Sequence, residues 1–513
     1  MPGLYTDATD SEPAFDVAAS FSGGQASYSR PNLIQQDAAA LLQNVAVDAA
    51  GYAQTRRGTA SLGTPFAGGQ WPIRALHGVS LPGWQSLLTI TAGEIYRHAG
   101  GTTWKRMTGA LGTPNPALLA STFATGAFPQ MTTGLDAVFI SDGVGPVRRF
   151  TGVVASTPEA VTDAPRGRAL LWHAGRLFSA GTADGPDTLH ASDLLDPLSW
   201  NSSTQSIRIG NPGDPIVALC GWQETGLVVL KRNSIWLVDA DPTQSVAAWA
   251  VKNIARSYGC CAPRTVCQMG NDVWFLSDDG VRSVGKALAN ESVRISDTVS
   301  FPVNDLIQRV ARVSLQLASA FAWRGRYLLS LPLDGEASAS TVLVYQDDVQ
   351  GWEGIWTGIA AVAFSSIPYA APPALVFGRE DGSVRQWLDN APESQAGSDS
   401  YQDVGEGIPA RIKTRALFFG EPINEKSPFH LDADFERSDS EAQISLIADG
   451  EEVGTIDAAA DTRPRSYVPL TLPFTLNATL PRAGIRRRAW PLQAFERSRE
   501  FQLDIEATDG KRL

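Results

Sequence analysis

The stretch GVRSVGKAL, beginning at Gly280, comes within one residue of a phosphate loop. In GxxxxGK[ST] the last position supplies a hydroxyl to magnesium, and Ala287 stands there instead. Such a loop must also open a helix. The following ANESVRISDTVSF reads as turn and strand, so nucleotide binding is not expected. HAGGTTW (98–104) faintly echoes the sialidase-type box, with Ala99 near the place of the required Asp. Glycoside hydrolysis needs two carboxylates set across a sugar, and the 54 acidic residues leave that chemistry open. No GxSxG elbow or HExxH pair occurs, and the Asp-Gly dipeptides lack the ligand order of a calcium loop. Cys220, Cys260, Cys261 and Cys267 form no CxxC pair, and the five histidines (77, 98, 173, 190 and 430) are scattered. The reading is buried free thiols, no metal and no cofactor.

Chemistry being scarce, the elements themselves carry the information. The chain has 513 residues, 43% of them apolar and 19% charged, with 47 Gly, 32 Pro and 14 Trp. That balance favours short strands joined by tight turns. A formal charge of −12 argues against tight grip on a phosphate backbone, which needs clustered Lys and Arg. No apolar run is long enough to span a bilayer, and MPGLYTDATDSEPAFD lacks the basic-then-apolar pattern of an export signal. A soluble protein made in a cytoplasm is expected.

The chain repeats. FISDGVGPVRRF from Phe139, FLSDDGVRSV from Phe275 and VFGREDGSVRQW from Val376 each give an apolar strand, Asp-Gly, then Val-Arg and a second strand. Asp-Gly suits a two-residue hairpin turn because both residues tolerate positive φ. Looser copies lie near residues 90, 180, 232 and 335. Seven hairpins at a spacing that suits four-stranded blades predict an all-β fold, a β-propeller of about seven blades; six or eight would fit the same spacing. Trp104, Trp200, Trp236, Trp356 and Trp387 end hairpins and are expected to fill the wedges between blades. VNDLIQRVARVSLQLAS from Val303 places Leu306, Val310, Val313 and Leu317 at helical spacing, with Asn304 or Asp305 as cap. The expected division is an N-terminal arm over 1–70, the propeller over 71–390, a Ser/Gly/Asp-rich linker over 391–407 and a small C-terminal β-sandwich over 408–513. In the last, GIRRRAW reads as a solvated or subunit-bridging loop.

One further motif, GYAQTRRGTASLG (51–63), holds no nucleophile or ligand pair but has Gly51, Arg56, Arg57 and Gly58. With Gly23, Gly24, Asn44 and Thr59, it resembles the leading segment of tail nozzle proteins of short-tailed bacteriophages, including the phage stabilisation proteins. NDVWFLSDDGVRSV from Asn271 is similar to a blade hairpin of that group. The sequence departs from the pattern where QASYSRP replaces the Gln-Pro that often follows Gly-Gly.

The resemblance implies a structural virion protein without catalytic activity, made in the host bacterial cytoplasm. It implies a homo-oligomer, a ring of six copies forming the distal tail tube below portal and head–tail adaptor. Tail fibre or spike proteins would be neighbours, and genomic DNA would pass at ejection without sequence-specific binding. The alternative is a propeller-type carbohydrate-active enzyme or glycan-binding module. Within this reading Gly51 and Gly58 bend the chain between arm and first blade, and Arg56 and Arg57 pair with buried carboxylates within or between subunits; otherwise the two arginines are solvated on an exposed turn.

Overall fold

The computed structural model describes residues 20–66, 71–107, 128–152, 158–289, 297–389, 401–418, 425, 430–435, 442–458, 486–491 and 498–507. They fall into two compact units. One comprises the described residues within Arg57–Asp348 and Trp352–Ala396, the other those within Met1–Arg56, Val349–Gly351 and Gly397–Leu513.

The first unit is a β-propeller. Its sheets follow one another along the chain, each antiparallel. Blade 1 is Ile73–Leu81, Trp84–Thr91, Glu94–Gly100 and Thr103–Arg106. Blade 2 is Gln130–Gly134, Ala137–Ser141, Arg148–Phe150 and Glu159–Ala160. Blade 3 is Ala169–His173, Arg176–Ala180, Thr188–Asp193 and Asp196–Trp200, with Ser206–Arg208 also on its third strand. Blade 4 is Ile216–Trp222, Gly226–Lys231, Ile235–Asp239 and Ala250–Ala255. Blade 5 has three strands among the described residues, Cys267–Met269, Asp272–Ser277 and Gly280–Ser283. Blade 6 is Ser319–Trp323, Arg326–Leu331, Thr341–Gln346 and Gly351–Trp356. Blade 7 is Ala361–Ile367, Ala374–Arg379 and Val384–Trp387, completed by Thr59–Ser61 from before blade 1. Among the described residues five blades are thus four-stranded, blade 3 has a fifth strand and blade 5 has three, and the first strand of blade 7 packs on that of blade 1, closing the circle. Each of the seven hairpins read from the sequence is the central pair of one blade.

Period-two alternation explains how sheets with two apolar faces stack. In blade 2, Val138 and Ile140 pack with Ile90 and Leu88 of blade 1, while Ala137 and Phe139 pack with Leu170 and Leu177 of blade 3. In blade 5, Val273 and Phe275 face blade 4, and Trp274 and Leu276 face blade 6. Successive side chains of a strand point to opposite faces, so one uninterrupted apolar run feeds two cores. The expected tryptophans join these wedges: Trp356 and Trp387 are buried with ring centroids 5.1 Å apart. Trp200 and Trp236 pack at the edges of the inter-blade clusters.

Three local expectations are corrected. In the three Asp-Gly-Val-Arg repeats only the glycines take positive φ, at Gly143, Gly280 and Gly382, whereas in Asp334-Gly335 and Asp449-Gly450 both residues do, as expected. The aspartates work through their side chains: Asp142 Oδ1 accepts from Val144 N at 2.9 Å and Gly145 N at 2.8 Å, and Asp381 Oδ1 from Ser383 N at 2.9 Å. In blade 5 Ser277 pairs with Gly280, so the turn itself is Asp278-Asp279. The single helix expected from Val303 is instead a short α-helix, Asn304–Gln308, and a 3-10 segment, Arg312–Leu317, separated at Ala311, which is extended (φ −61°, ψ 134°). Leu306, Ile307, Val310 and Leu315 reach the core between blades 5 and 6, and Val313 is 78% exposed. Packing overrides the period there, helped by the low helix propensity of β-branched Val310 and Val313. No side chain caps the α-helix, so neither Asn304 nor Asp305 has the expected role. Third, a short helix, Val284–Ala289, opens within the near-phosphate loop itself and reaches only the first residue of the ANESVRISDTVSF segment read as turn and strand, of which residues 290–296 lie outside the described residues.

Among the described residues of the second unit, five strands pair antiparallel in the order Ala38–Gln43, Arg411–Thr414, Phe501–Ala507, Ala442–Ala448 and Glu451–Ala458. Gly24–Gln25 runs parallel to Ala38–Ala39, and Val45–Val47 pairs with Ala53–Thr55. His430–Phe435 pairs with Arg486–Pro491 as a separate ribbon. Most of the Ser/Gly/Asp-rich segment after blade 7 lies outside the described residues.

Closure of the propeller rests on a short ladder. Leu62 N donates to Val384 O at 2.8 Å, Val384 N to Gly63 O at 2.9 Å and Leu388 N to Gly58 O at 2.9 Å. Leu62→Pro removes one of those donors and is expected to destabilise the fold by about 1–3 kcal/mol. Chemical denaturation checks this: an unchanged midpoint would mean that blade 7 does not depend on the strand from before blade 1.

Candidate functional site

The basic pair read from the sequence has one deeply structural member. Arg56 is fully buried, and its guanidinium forks onto Asp403, with NH1 3.1 Å from Oδ1 and NH2 bonded to Oδ2. Its Nε donates to Asn44 Oδ1 at 3.0 Å, and Asn44 Nδ2 donates to Pro409 O at 2.8 Å. Asn44 sits at φ 53°, a left-handed conformation that asparagine tolerates better than most residues. The triad ties a loop near the N-terminus to the segment at Asp403–Pro409 within one unit. A bidentate Arg–carboxylate pair suits such a place because the planar fork satisfies both oxygens.

Gly51 occupies φ 85°, where a Cβ would lie 1.9 Å from Ser20 Oγ. Its carbonyl accepts from Phe21 N at 2.9 Å. Arg57 contributes its carbonyl, which accepts from Trp387 Nε1 at 3.0 Å, and the Gly58 carbonyl accepts from Leu388 N. The motif therefore serves two structures: Gly51 and Arg56 build one unit, while Arg57 and Gly58 belong to the ladder that completes blade 7. Asp403 carried no signal in the sequence, since it lies in the expected linker and its pairing spans hundreds of residues.

The near-phosphate loop is already occupied. Asp272 Oδ1 accepts from Gly285 N at 2.7 Å, and Ser283 Oγ accepts from Lys286 N at 3.1 Å. A carboxylate and a hydroxyl each occupy one of the amides that a phosphate would use. Burial pushes the thiols of Cys220 and Cys260 up to about 12, and those of Cys261 and Cys267 upward as well. They behave as packed apolar groups.

The inner strands leave unpaired backbone groups facing the propeller axis, and neighbouring blades satisfy them with side chains. Gln130 Oε1 accepts from Leu170 N at 3.0 Å, Thr132 Oγ1 from Trp172 N at 3.1 Å and Ser365 Oγ from Gly78 N at 2.9 Å. His77 Nε2 is 2.7 Å from Thr133 Oγ1. At the end of the axis where the inner strands begin, Arg264 reaches from just before blade 5 to two further blades. Its NH1 donates to Val362 O at 2.6 Å and its NH2 to Leu317 O at 2.5 Å. Its guanidinium lies 3.7 Å from the ring centroid of Phe128, which precedes blade 2. This mouth was not legible in the sequence.

Residues 123–366 match the Phage_stabilise family, described as "Bacteriophage P22 Gp10, beta-propeller". Over those residues, which hold blades 2 to 6 and most of the first strand of blade 7, the chain is similar to that family's propeller. Among solved structures it is similar to the computationally designed Ika8 protein, at 12% identity and a TM-score of 0.36, covering 64% of this chain and 99% of that one. It is also similar to the Neurospora crassa Pan2 WD40 domain, at 10% identity and a TM-score of 0.38, covering 65% and 94%. At those scores neither carries an argument about this chain. No curated protein sequence matches.

Arg56→Ala leaves Asp403 and Asn44 facing a void and is expected to cost about 3–5 kcal/mol, with Arg56→Lys recovering little because an ammonium cannot reproduce the fork. Equilibrium unfolding of the two variants checks this; a loss under 1 kcal/mol for Ala would show the pair to be dispensable. Burial lowers His77 to about 4 and lowers His173 and His190 as well. The unfolded chain takes up these protons near 6.5, and the folded chain resists them. Stability from these groups is therefore complete above pH 6.5 and lost as pH falls toward 4. The melting temperature should drop across that window, and less steeply in His77→Gln; parallel curves for the two proteins would exclude His77 from the effect.

Proposed function

We propose that this chain is a tail nozzle protein: copies assemble into a ring, six in number, below the portal and adaptor, and genomic DNA leaves through that ring. A chain with a Phage_stabilise propeller is a bacteriophage structural protein and a virion component. The observation that carries the finer reading is the closed axis of the propeller itself. Side chains bridge neighbouring inner strands, and Phe128 and Arg264 cross the mouth, so a duplex cannot thread a single propeller. A conduit requires several copies whose propellers form its wall.

The net charge of −12 supports a lumen that repels phosphates, letting DNA slide. The arrangement favours a mechanical role. Tight inter-blade cores and capped turns supply rigidity. No helix among the described residues is long and apolar enough to cross a membrane.

Electron microscopy of the purified chain, alone and with neck proteins, tests the proposal. The expected result is a closed ring with an open central lumen lined mainly by Asp and Glu. An isolated monomer that binds or cleaves free glycans, or a lumen lined mainly by Lys and Arg, would overturn it.

A further inference from the structure

The mouth of the propeller axis brings two arginines together, and among the described residues no carboxylate forms an ion pair with either. Arg264 stacks on Phe128, and Arg74, on the first strand of blade 1, lies 5.0 Å from the same ring centroid. The two guanidinium carbons are therefore no more than about 9 Å apart, close to the Debye length at physiological salt. Glu380, in the turn of blade 7, is the acidic residue whose field reaches Arg264, yet among the described residues it forms no ion pair with either arginine. The Nε atoms of both arginines are buried and without a hydrogen-bond partner among the described residues.

Arg264 is fixed. Two of its nitrogens are bound to carbonyls of Val362 and Leu317, so it cannot swing away to water without releasing those blades. Burial and the like charge of Arg74 push its guanidinium down to about 9. Cations held together on an aromatic face and partly dehydrated are costly unless an anion joins them.

We propose that this mouth is an oxyanion-binding site, taking one phosphate, sulfate or carboxylate group between Arg74 and Arg264 beside the Phe128 ring. Guanidinium groups match the planar or tetrahedral oxygens of such groups, and the stacked ring keeps Arg264 oriented. Arg74 is the adjustable partner, since its head is not tied to the backbone. The proposal does not rest on the conduit, so it can hold whether or not that reading does.

Inorganic phosphate titrated into the full-length chain at constant ionic strength, with chloride as balance, tests this by calorimetry and by the melting temperature. Saturable binding is expected, weakened about tenfold in Arg74→Gln and largely kept in Arg74→Lys. The melting temperatures of both variants without phosphate establish that they are folded. Parallel titrations with sulfate and acetate distinguish the sources: acetate equal to phosphate assigns a carboxylate ligand, and preference for phosphate and sulfate assigns a tetrahedral one. Phosphate that binds no better than chloride, or binds Arg74→Gln as well as the parent, would overturn the proposal.

Discussion

A β-sheet has edges, and every edge is a row of backbone donors and acceptors in search of partners. This propeller is organised by the need to satisfy them. Blade 7 has three strands of its own, and its open edge is filled by Thr59–Ser61, drawn from the chain before blade 1. The pairing joins the beginning of the propeller to its end, so that no blade is terminal. If that ladder opened, the wedge between blades 7 and 1, with Ile73, Leu76, Val376 and Val384, would be exposed to water. The cores between the other blades depend on it in turn, because each holds its neighbour in place around the circle.

The inner edges pose the same problem with a different answer. Around the axis the strands are too splayed to pair with one another, so Gln130, Thr132 and Ser365 reach sideways to the neighbouring backbone. Arg264 does this on a larger scale, holding carbonyls of two other segments while stacking on Phe128. The consequence is mechanical. An axis bridged in this manner is a braced centre.

Charge is used sparingly and in specific places. The Arg56–Asp403 pair is buried with every oxygen of the carboxylate engaged, and it joins the ends of its unit through Asn44. Asp272 neutralises the start of a short helix that would otherwise attract an anion. In both cases a side chain outside the local motif occupies a position that inspection of the motif alone would assign to something else.

The repeat was legible because it is written in local chemistry. Apolar runs interrupted by Asp-Gly and followed by Val-Arg specify the central hairpin of a blade, and period-two alternation implies a sheet with two buried faces. Gly51 was legible as a turn residue and Arg56 as a buried pairing cation. The identity of Arg56's partner was not, nor was the contribution of Arg57 and Gly58 to blade 7, nor the meeting of Arg74, Phe128 and Arg264 at the axis. The break in the segment after Val303 was also hidden, since its side chains follow the shape of the gap between two blades more than their own period. Local pattern determines what a strand or turn can be, because backbone geometry and side-chain alternation act within a few residues. Which distant edges and charges meet is decided by closing the ring, which brings together residues that sequence separation keeps independent.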